Sequence, residues 1–288
     1  MKDFFELMKE ETGKELNQVQ KEAVLYNDGP LLLLASPGSG KTTTLNMKIG
    51  YLILEKGIAP HKILALTFSQ ASARDMEARF DVFFHNLISD KVKFSTIHSF
   101  AYAIVREYFY KHGKRFILIE GESEKENEDL RMGEGYKLQK KYILRNIFKE
   151  INGSNITEDQ MEELLRVLGY VKNKCIPKTK VSQVKTAIKH FDKIYEAYEF
   201  FKKKDINNIL IDFDDMLVYA NAVLKKDKMI LTKYQQMFDY ILVDESQDTS
   251  LVQHNIIEKL AEPHQQICMV GDDDQTLYSW RGAEVDKI

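Results

Sequence analysis

The sequence predicts an α/β fold in which a parallel sheet is flanked by helices and interrupted by an inserted helical subdomain. Short apolar runs at 31–35, 62–68 and 92–97 alternate with amphipathic segments of helix length, which is typical of parallel strands joined by crossover helices. Similar apolar runs return at 238–245 and 264–272. The segments between these two groups carry helical patterns only, so the insertion is expected there.

Length and composition restrict the class of protein further. The chain has 288 residues, enough for about two domains, and its 44% hydrophobic and 30% charged residues are ordinary for a globular protein. No apolar run approaches the roughly 18 residues that cross a bilayer, so we expect a soluble, cytoplasmic protein with no membrane partner. Cys175 and Cys268 lack the spacing of a zinc site or a disulfide framework and are expected to be reduced.

The expected insertion covers roughly residues 113–205 and has clear helix signals. Thr157 followed by Gln160 predicts a capping box, and Gly169 is a natural helix C-cap. The net charge of the whole chain is −3, but the window from 170 to 204 holds ten lysines against three acidic residues. Any binding of nucleic acid must therefore come from a local surface.

The first apolar run is expected to form a buried strand, and together with the glycine-rich stretch after it reads LLLLASPGSGKTTTL over residues 31–45. The backbone N–H groups of such a turn and of the helix after it can surround a phosphate, a lysine can reach its oxygens, and a hydroxyl can bind Mg²⁺. The general pattern GxxxxGK(S/T) has glycine where this chain has Ala35, which is a mild departure. The alternative is a chance turn, and the loop alone indicates only nucleotide binding. The candidate nucleotide-binding residues are Ala35, Ser36, Pro37, Gly38, Ser39, Gly40, Lys41, Thr42 and Thr43.

Two later apolar runs end in polar residues. The sequence ILVDESQD (241–248) places Asp244 and Glu245 at the carboxyl end of a strand long enough to be central, where doubly wound folds bind ligands. Asp244 is suited to hold Mg²⁺ with Thr42, and Glu245 to orient and deprotonate the attacking water. A helix N-cap with a solvated neighbour is the alternative for this acidic pair. Gln275, after the second run, is placed to sense the γ-phosphate. The candidate catalytic residues are Lys41, Asp244, Glu245 and Gln275.

Several stretches, in order, resemble the motifs in the amino-terminal half of the UvrD/Rep/PcrA group of superfamily 1A DNA helicases. They are LNQVQ (16–20), ASPGSGKT (35–42), LALTFSQASARDM (64–76), FSTIHSFA (94–101), IDFDDML (211–217), ILVDESQDTS (241–250) and VGDDDQTLYSWRGA (270–283). The resemblance implies a RecA-like P-loop NTPase domain 1A at 1–112 and 206–288, with an all-helical domain 1B at 113–205. It also implies that Gln20 recognises the adenine base.

The resemblance implies ATP and Mg²⁺ as cofactors, and hydrolysis coupled to 3′–5′ translocation on single-stranded DNA and to duplex unwinding. The implied partners are single-stranded DNA, junctions of single and double strands, and a carboxyl-terminal RecA-like domain of the same protein. Aromatic faces and cations are what sequence-tolerant binding to single strands requires. The candidate DNA-binding residues are Phe68, Thr96, His98, Tyr278, Trp280, Arg281 and, for duplex DNA, Lys172. As alternatives, Phe68 and Tyr278 are core aromatics, His98 caps a helix, and the lysine-rich window is a solvated face.

The chain departs from the family pattern at four positions and at its end. Gln70 and Ala71 replace an Asn and a Lys, Thr43 replaces an Arg, and Ser246 replaces an aromatic residue. The sequence ends at Ile288, before the family's motifs IV to VI and the two arginines on its second RecA-like domain. Because arginine fingers contribute about 10³ to 10⁵ in rate, we expect a piece of a longer helicase that is nearly inactive alone.

Three functions stay open at this point. The first is the motor half of a DNA helicase in repair, recombination or defence. The second is the front half of a helicase-nuclease of the AddA or RecB type, which a carboxyl-terminal nuclease motif would favour. The third is a module that binds nucleotide or single strands without turnover, which would show affinity but no hydrolysis stimulated by DNA.

Overall fold

The computed structural model describes residues 3–36, 38–120, 139–205 and 208–272. The described helices are α1 (Phe4–Thr12), α2 (Gln18–Leu25), α3 (Lys41–Leu54), α4 (Gln70–Phe84), α5 (Ile97–Lys111), α6 (Lys140–Asn152), α7 (Glu158–Asn173), α8 (Phe191–Lys202), α9 (Phe213–Lys226), α10 (Lys228–Met237) and α11 (Leu251–Ala261). The described strands are β1 (Leu31–Leu34), β2 (Ile63–Thr67), β3 (Lys93–Thr96), β4 (Arg115–Leu118), β5 (Asn208–Ile211), β6 (Tyr240–Val243) and β7 (Ile267–Gly271).

Five of the strands form a parallel sheet in the order β1-β7-β6-β2-β3. One row across this sheet joins Leu31, Cys268, Leu242, Ala65 and Phe94. The sheet confirms the predicted α/β class, and β6 is its central strand as the apolar run predicts. A parallel sheet of this kind collects the carboxyl ends of all its strands at one edge.

Each face of the sheet carries a hydrophobic core because alternate residues of a strand point to opposite faces. Ile241 and Val243 of β6 pack with helices α5, α9, α10 and α11. Tyr240 and Leu242 pack on the other face with helices α1 to α4. The strand β1 was expected to be buried but lies at the edge of the sheet, where Leu32 and Leu34 are 40% and 51% exposed.

The inserted region has a third core, built from α6, α7, α8 and the ends of a second sheet. The prediction that this region is all-helical was wrong, since β4 lies within it and pairs in parallel with β5. The capping box of Thr157 and Gln160 is confirmed. Gly169 is not a C-cap, because α7 continues to Asn173, and a Cβ at Gly169 would lie 3.4 Å from the Asp214 carboxylate. A side-chain Cβ at this position would make only ordinary contact with the start of α9, so the packing of α7 on α9 does not require glycine.

The described ranges contain no helix that is both long and apolar enough to cross a membrane. Cys175 is exposed, Cys268 is buried, and the two do not form a disulfide with each other.

Candidate functional site

The loop after β1 has the geometry of an anion-binding turn. Gly38 and Gly40 have φ angles of 73° and 83°, a region that favours glycine, and α3 begins directly afterwards at Lys41. The N–H of Ser39 donates to the carbonyl of Ser36, and Ala35 is held to the end of β7 through the Gly271 carbonyl. The turn therefore presents its backbone N–H groups and the positive end of a helix dipole at the carboxyl edge of the sheet.

Gln20 reaches this loop from α2. Its side chain completes a capping box with Asn17, and its Nε2 donates to the Ser39 carbonyl over 2.8 Å. A Cβ at Gly40 would lie 3.1 Å from the same Nε2, so the close approach of Gln20 depends on glycine at this position. The structure thus places the residue expected to recognise the base against the loop expected to bind the phosphates.

A buried lysine fixes α2 against α3. Lys48 of α3 is 2% exposed, and its Nζ donates to the Ala23 carbonyl over 3.0 Å and to the carbonyls of Val24 and Tyr26. These carbonyls belong to the last turn of α2, which has no helical partner for them. Burial lowers the pKa of Lys48 to about 8. Nothing in the sequence distinguishes Lys48 from other lysines, because its acceptors are backbone groups that no motif reveals.

The remaining predicted loop residues divide by exposure. Ser36 and Ser39 are exposed, and Thr43 is half-buried in the first turn of α3. Lys41 is buried, and its Nζ donates to the Ala35 carbonyl over 3.1 Å and lies 3.5 Å from Oδ2 of Asp272. Asp272 directly follows β7 and was missed in the sequence, although it stands at a strand end as Asp244 does.

The Thr42 hydroxyl donates to Oδ2 of Asp244 over 3.0 Å, so the two predicted metal ligands meet across 202 residues of sequence. Asp244 is 5% exposed, and its backbone N–H donates to Leu66 of β2. Burial, together with the charge of Glu245, raises the pKa of Asp244 to about 6, although the Thr42 hydrogen bond opposes this. A carboxylate destabilised in this way gains from a cation beside it.

This donor set fits Mg²⁺, which prefers oxygen ligands and is commonly held by one or two carboxylates plus substrate phosphates and water. Thr42 supplies a hydroxyl and Asp244 a carboxylate oxygen at one point. Within the described ranges no three His, Cys, Asp or Glu side chains gather as an all-protein metal cage. The two oxygens are therefore suited to a metal that arrives with phosphates.

Glu245 follows Asp244 in the left-handed backbone region, with a φ angle of 52°. Its Oε2 accepts a hydrogen bond of 2.5 Å from the Gln247 amide, and Oε1 of Gln247 accepts from the backbone N–H of Asp272 over 3.0 Å. Gln247 is buried and so joins the end of β6 to the end of β7. No role was predicted for Gln247. The sequence feature that could have indicated one is an amide side chain, which has both a donor and an acceptor, two positions after Glu245.

A groove of about 1770 Å³ runs beside this edge of the sheet. Phe68, Thr96 and His98 all line it, so the structure brings together three of the candidate DNA-binding residues. Thr96 is 5% exposed, and its hydroxyl accepts from the N–H of Ser99, which makes it, and not His98, the N-cap of α5. The ring of His98 lies edge-on to Phe213, with centroids 6.5 Å apart.

Lys172 does not lie on a DNA-accessible surface, so the expected duplex contact is corrected. It is 5% exposed, and its Nζ lies 2.7 Å from Asp212 and 2.9 Å from Asp215. Burial opposes its charge, but the carboxylates hold the pKa of Lys172 well above its ordinary value. A lysine in a charge-rich window can pair with carboxylates 40 residues away, which the window alone does not show. Pro37, Gln275, Tyr278, Trp280 and Arg281 lie outside the described residues.

Lys172 belongs to a larger group of buried charges between the insertion and α9. Lys202 lies 2.6 Å from Glu199 and 2.5 Å from Asp215, and Lys140 lies 3.2 Å from Asp212. Burial alone would raise the pKa of Asp212, but Lys172 and Lys140 hold it well below its ordinary value. We name this group the ionic cluster; its members are Lys140, Lys172, Lys202, Glu199, Asp212 and Asp215.

A glycine-rich loop after β1, an acidic pair after the central strand and a parallel sheet in this order define a P-loop NTPase of RecA-like fold. The family model for the UvrD/REP helicase N-terminal domain matches residues 16–288. The chain belongs to that family.

Curated relatives agree with this assignment. The chain is 34% identical over 276 residues to the ATP-dependent DNA helicase PcrA of Bacillus subtilis (strain 168), which covers 95% of this chain and 35% of the relative. It is 35% identical over 278 residues to DNA helicase II of Rickettsia typhi, a match that covers 95% of this chain and 39% of the relative. A PcrA helicase of Staphylococcus epidermidis is 31% identical over 283 residues. The chain thus spans less than half the length of these relatives.

Proposed function

We propose that this chain is the ATP-binding half of a DNA helicase that couples hydrolysis of ATP with Mg²⁺ to 3′–5′ movement along single-stranded DNA and to unwinding of the duplex. The contact between Thr42 and Asp244 carries the proposal, since it joins the glycine-rich loop to the acidic strand end at one point. The names of the relatives, which include ATP-dependent DNA helicase, support the same substrate class.

The mechanism assigns each side chain at the sheet edge a task. The loop from Ala35 to Gly40 binds the β- and γ-phosphates through its N–H groups, and Lys41 exchanges its present contacts for phosphate oxygens. Thr42 and Asp244 would hold Mg²⁺, and the ion would there neutralise charge on the phosphates. Glu245, held by Gln247, orients the attacking water and takes up its proton. Gln20 contacts the base beside the loop.

ATP hydrolysis is coupled to movement along the DNA through the protein strands β2 and β6. The backbone N–H of Asp244 donates to the Leu66 carbonyl over 2.9 Å, and Phe68 of the groove follows two residues later. A shift of Asp244 on loss of the γ-phosphate therefore acts on β2, which leads directly into the groove residue Phe68. The proposed substrates are single-stranded DNA and junctions of single and double strands. The proposed partner is a second RecA-like domain of the same protein, which completes the nucleotide site.

The test of this function is a titration of oligo-dT, with and without Mg²⁺ and a non-hydrolysable ATP analogue. We expect binding that weakens with salt and changes when nucleotide is added. Emission of Trp280, the one tryptophan of the sequence, reports contact near it. Polarity is tested with tailed duplexes on the chain joined to its proposed second RecA-like domain, since the chain alone is expected to be nearly inactive, and only duplexes with a 3′ tail are expected to be unwound. Nucleotide binding with no effect on DNA affinity would contradict the coupling, and unwinding from a 5′ tail would contradict the polarity.

A further inference from the structure

Helix α5 carries an outward stripe that the motifs do not include. Its members follow His98 at intervals of four residues, which places them on one face of the helix: Tyr102, Arg106 and Tyr110. All four side chains line the groove. At a rise of 1.5 Å per residue, the stripe from His98 to Tyr110 is about 18 Å long. It therefore extends the groove well beyond the residues of the FSTIHSFA motif.

The two tyrosines of the stripe are exposed in a helix whose other aromatics mostly serve the core. Tyr110 is 87% exposed and Tyr102 is 36% exposed, whereas the adjacent Phe109 is 3% exposed. The guanidinium of Arg106 lies 5.8 Å from the centroid of the Tyr102 ring, and the same ring lies edge-on to Phe116 at 5.7 Å. Tyr102 is thus oriented by its neighbours, while the faces of Tyr110 are open to a ligand.

Charge is segregated around the stripe. Glu107, the one acidic residue of α5, is not in the groove lining, because it pairs with Lys233 of α10 over 2.8 Å. Arg106, Lys114 and Arg115 line the groove, and no carboxylate of the described residues forms an ion pair with them. The acidic residues Asp159 and Glu162 stand at the start of α7, on the opposite wall. The stripe therefore adds aromatic rings and cations to a groove whose lining also holds carboxylates, and the one arginine that α7 contributes, Arg166, is paired with Glu163.

We propose that a single DNA strand leaves the Phe68 and His98 region and continues along this stripe, with bases stacked on Tyr102 and Tyr110. Its phosphates face Arg106 and Arg115 and are kept from the α7 wall by the acidic residues there. Exposed aromatic faces interleaved with cations are the arrangement that binds single strands without regard to sequence. This inference rests on the proposed function and adds a second segment to its DNA path, so that the site holds a longer strand than the motif residues alone.

The length of the strand provides the test. Fluorescence anisotropy measures the affinity of the full chain for oligo-dT of about 6 and about 16 nucleotides, a range that spans known single-strand site sizes. Tyr110→Ala is expected to weaken the 16-mer about tenfold and the 6-mer less than twofold, since one stacked base is lost only from the longer strand. Tyr110→Phe keeps the aromatic face and is expected to bind as the wild type does. Arg106→Gln is expected to lower the salt slope by about one.

Phe200→Ala is the matched control, because Phe200 is 73% exposed on α8 and does not line the groove. It is expected to leave both affinities unchanged. If Tyr110→Ala binds the 16-mer as tightly as Phe200→Ala does, the strand does not follow α5 and this inference is wrong, while the proposed function stands. If the wild type binds neither oligonucleotide, the proposed function fails and the DNA path fails with it.

Discussion

Two groups of buried charge differ in how they are compensated. In the ionic cluster each lysine lies within ion-pair distance of at least two carboxylates. Lys172, for example, contacts Asp212, Asp215 and Glu199. At the nucleotide edge, Asp244 has a threonine hydroxyl and one backbone N–H, and Lys41 has a carbonyl and a carboxylate at 3.5 Å. The first group is complete within the protein, and the second leaves room for a ligand's charges. Compensation, more than burial, separates structural charges from functional ones.

The largest effect is expected from opening the ionic cluster. Lys172→Met removes the cation beside Asp212, which is fully buried, and leaves that carboxylate without its main partner. Breaking a buried ion pair costs about 3–5 kcal/mol, so the free energy of unfolding in urea should fall by that amount. Lys178→Met, on an exposed lysine of the same window, is the control and should change it by less than about 0.5 kcal/mol. Equal effects of the two variants would show that the cluster is not structural.

The next effect concerns Glu245. Glu245→Gln keeps the size of the side chain but removes the charge that positions and deprotonates water. Single-turnover hydrolysis of labelled ATP, which detects slow turnover, should be at least about 100-fold slower. The affinity for ATP should stay within about twofold, because Glu245 is not placed on the phosphates. An unchanged hydrolysis rate would remove Glu245 from the mechanism.

A pH-dependent effect is expected from Lys48. Burial lowers the pKa of Lys48 to about 8, against 10.5 for an ordinary lysine, so between these values the unfolded chain binds more protons than the folded one. Stability therefore rises with pH over this interval. Relative to Lys48→Met, the wild type should gain about 1.5 kcal/mol between pH 8 and 9.5. Urea unfolding at the two pH values measures the difference, and parallel values for both proteins would contradict the lowered pKa.

The smallest effect is expected at Gln20. Gln20→Ala loses the hydrogen bond of Gln20 to the Ser39 carbonyl and the proposed contact with the base. We expect ATP affinity to fall about tenfold, with little change for a nucleotide of another base. Calorimetric titration with ATP and with GTP, each with Mg²⁺, measures the two affinities in the wild type and in the variant. Equal losses for both nucleotides would assign Gln20 to the loop alone.

The sequence analysis succeeded where the signals are local. The apolar runs predict β2, β6 and β7 because each is a short and mostly buried segment. They also predict β3, of which only the last two residues are buried. The glycine-rich loop and the Asp244 pair are adjacent in the fold because both follow strands of one parallel sheet. The roles assigned to these residues stay predictions, as do the domain boundaries at 113 and 205.

The sequence analysis failed where partners are distant along the chain. Within the described residues, β4 and β5 pair only with each other across about 90 positions and lie outside the five-stranded sheet, so the alternation of strands and crossover helices does not mark them. Lys172 was predicted at a surface because its window is basic, yet its partners Asp212 and Asp215 lie about 40 positions further along the chain. The prediction that β1 is buried failed for a similar reason. The apolar sequence of a strand does not show whether a second strand will pair with each of its sides, and among the described strands β1 has a partner on one side only.

The most direct test compares Asp244→Asn with Lys172→Met by thermal unfolding, with and without ATP and Mg²⁺. Asp244→Asn should unfold at the wild-type temperature or above, because it removes a buried charge but keeps an acceptor for Thr42, and it should lose the stabilisation by the ligand. Lys172→Met should unfold at a lower temperature and keep that stabilisation. If Asp244→Asn instead lowers the unfolding temperature as much as Lys172→Met, or is still stabilised by the ligand as the wild type is, the distinction between the two groups of charge is wrong.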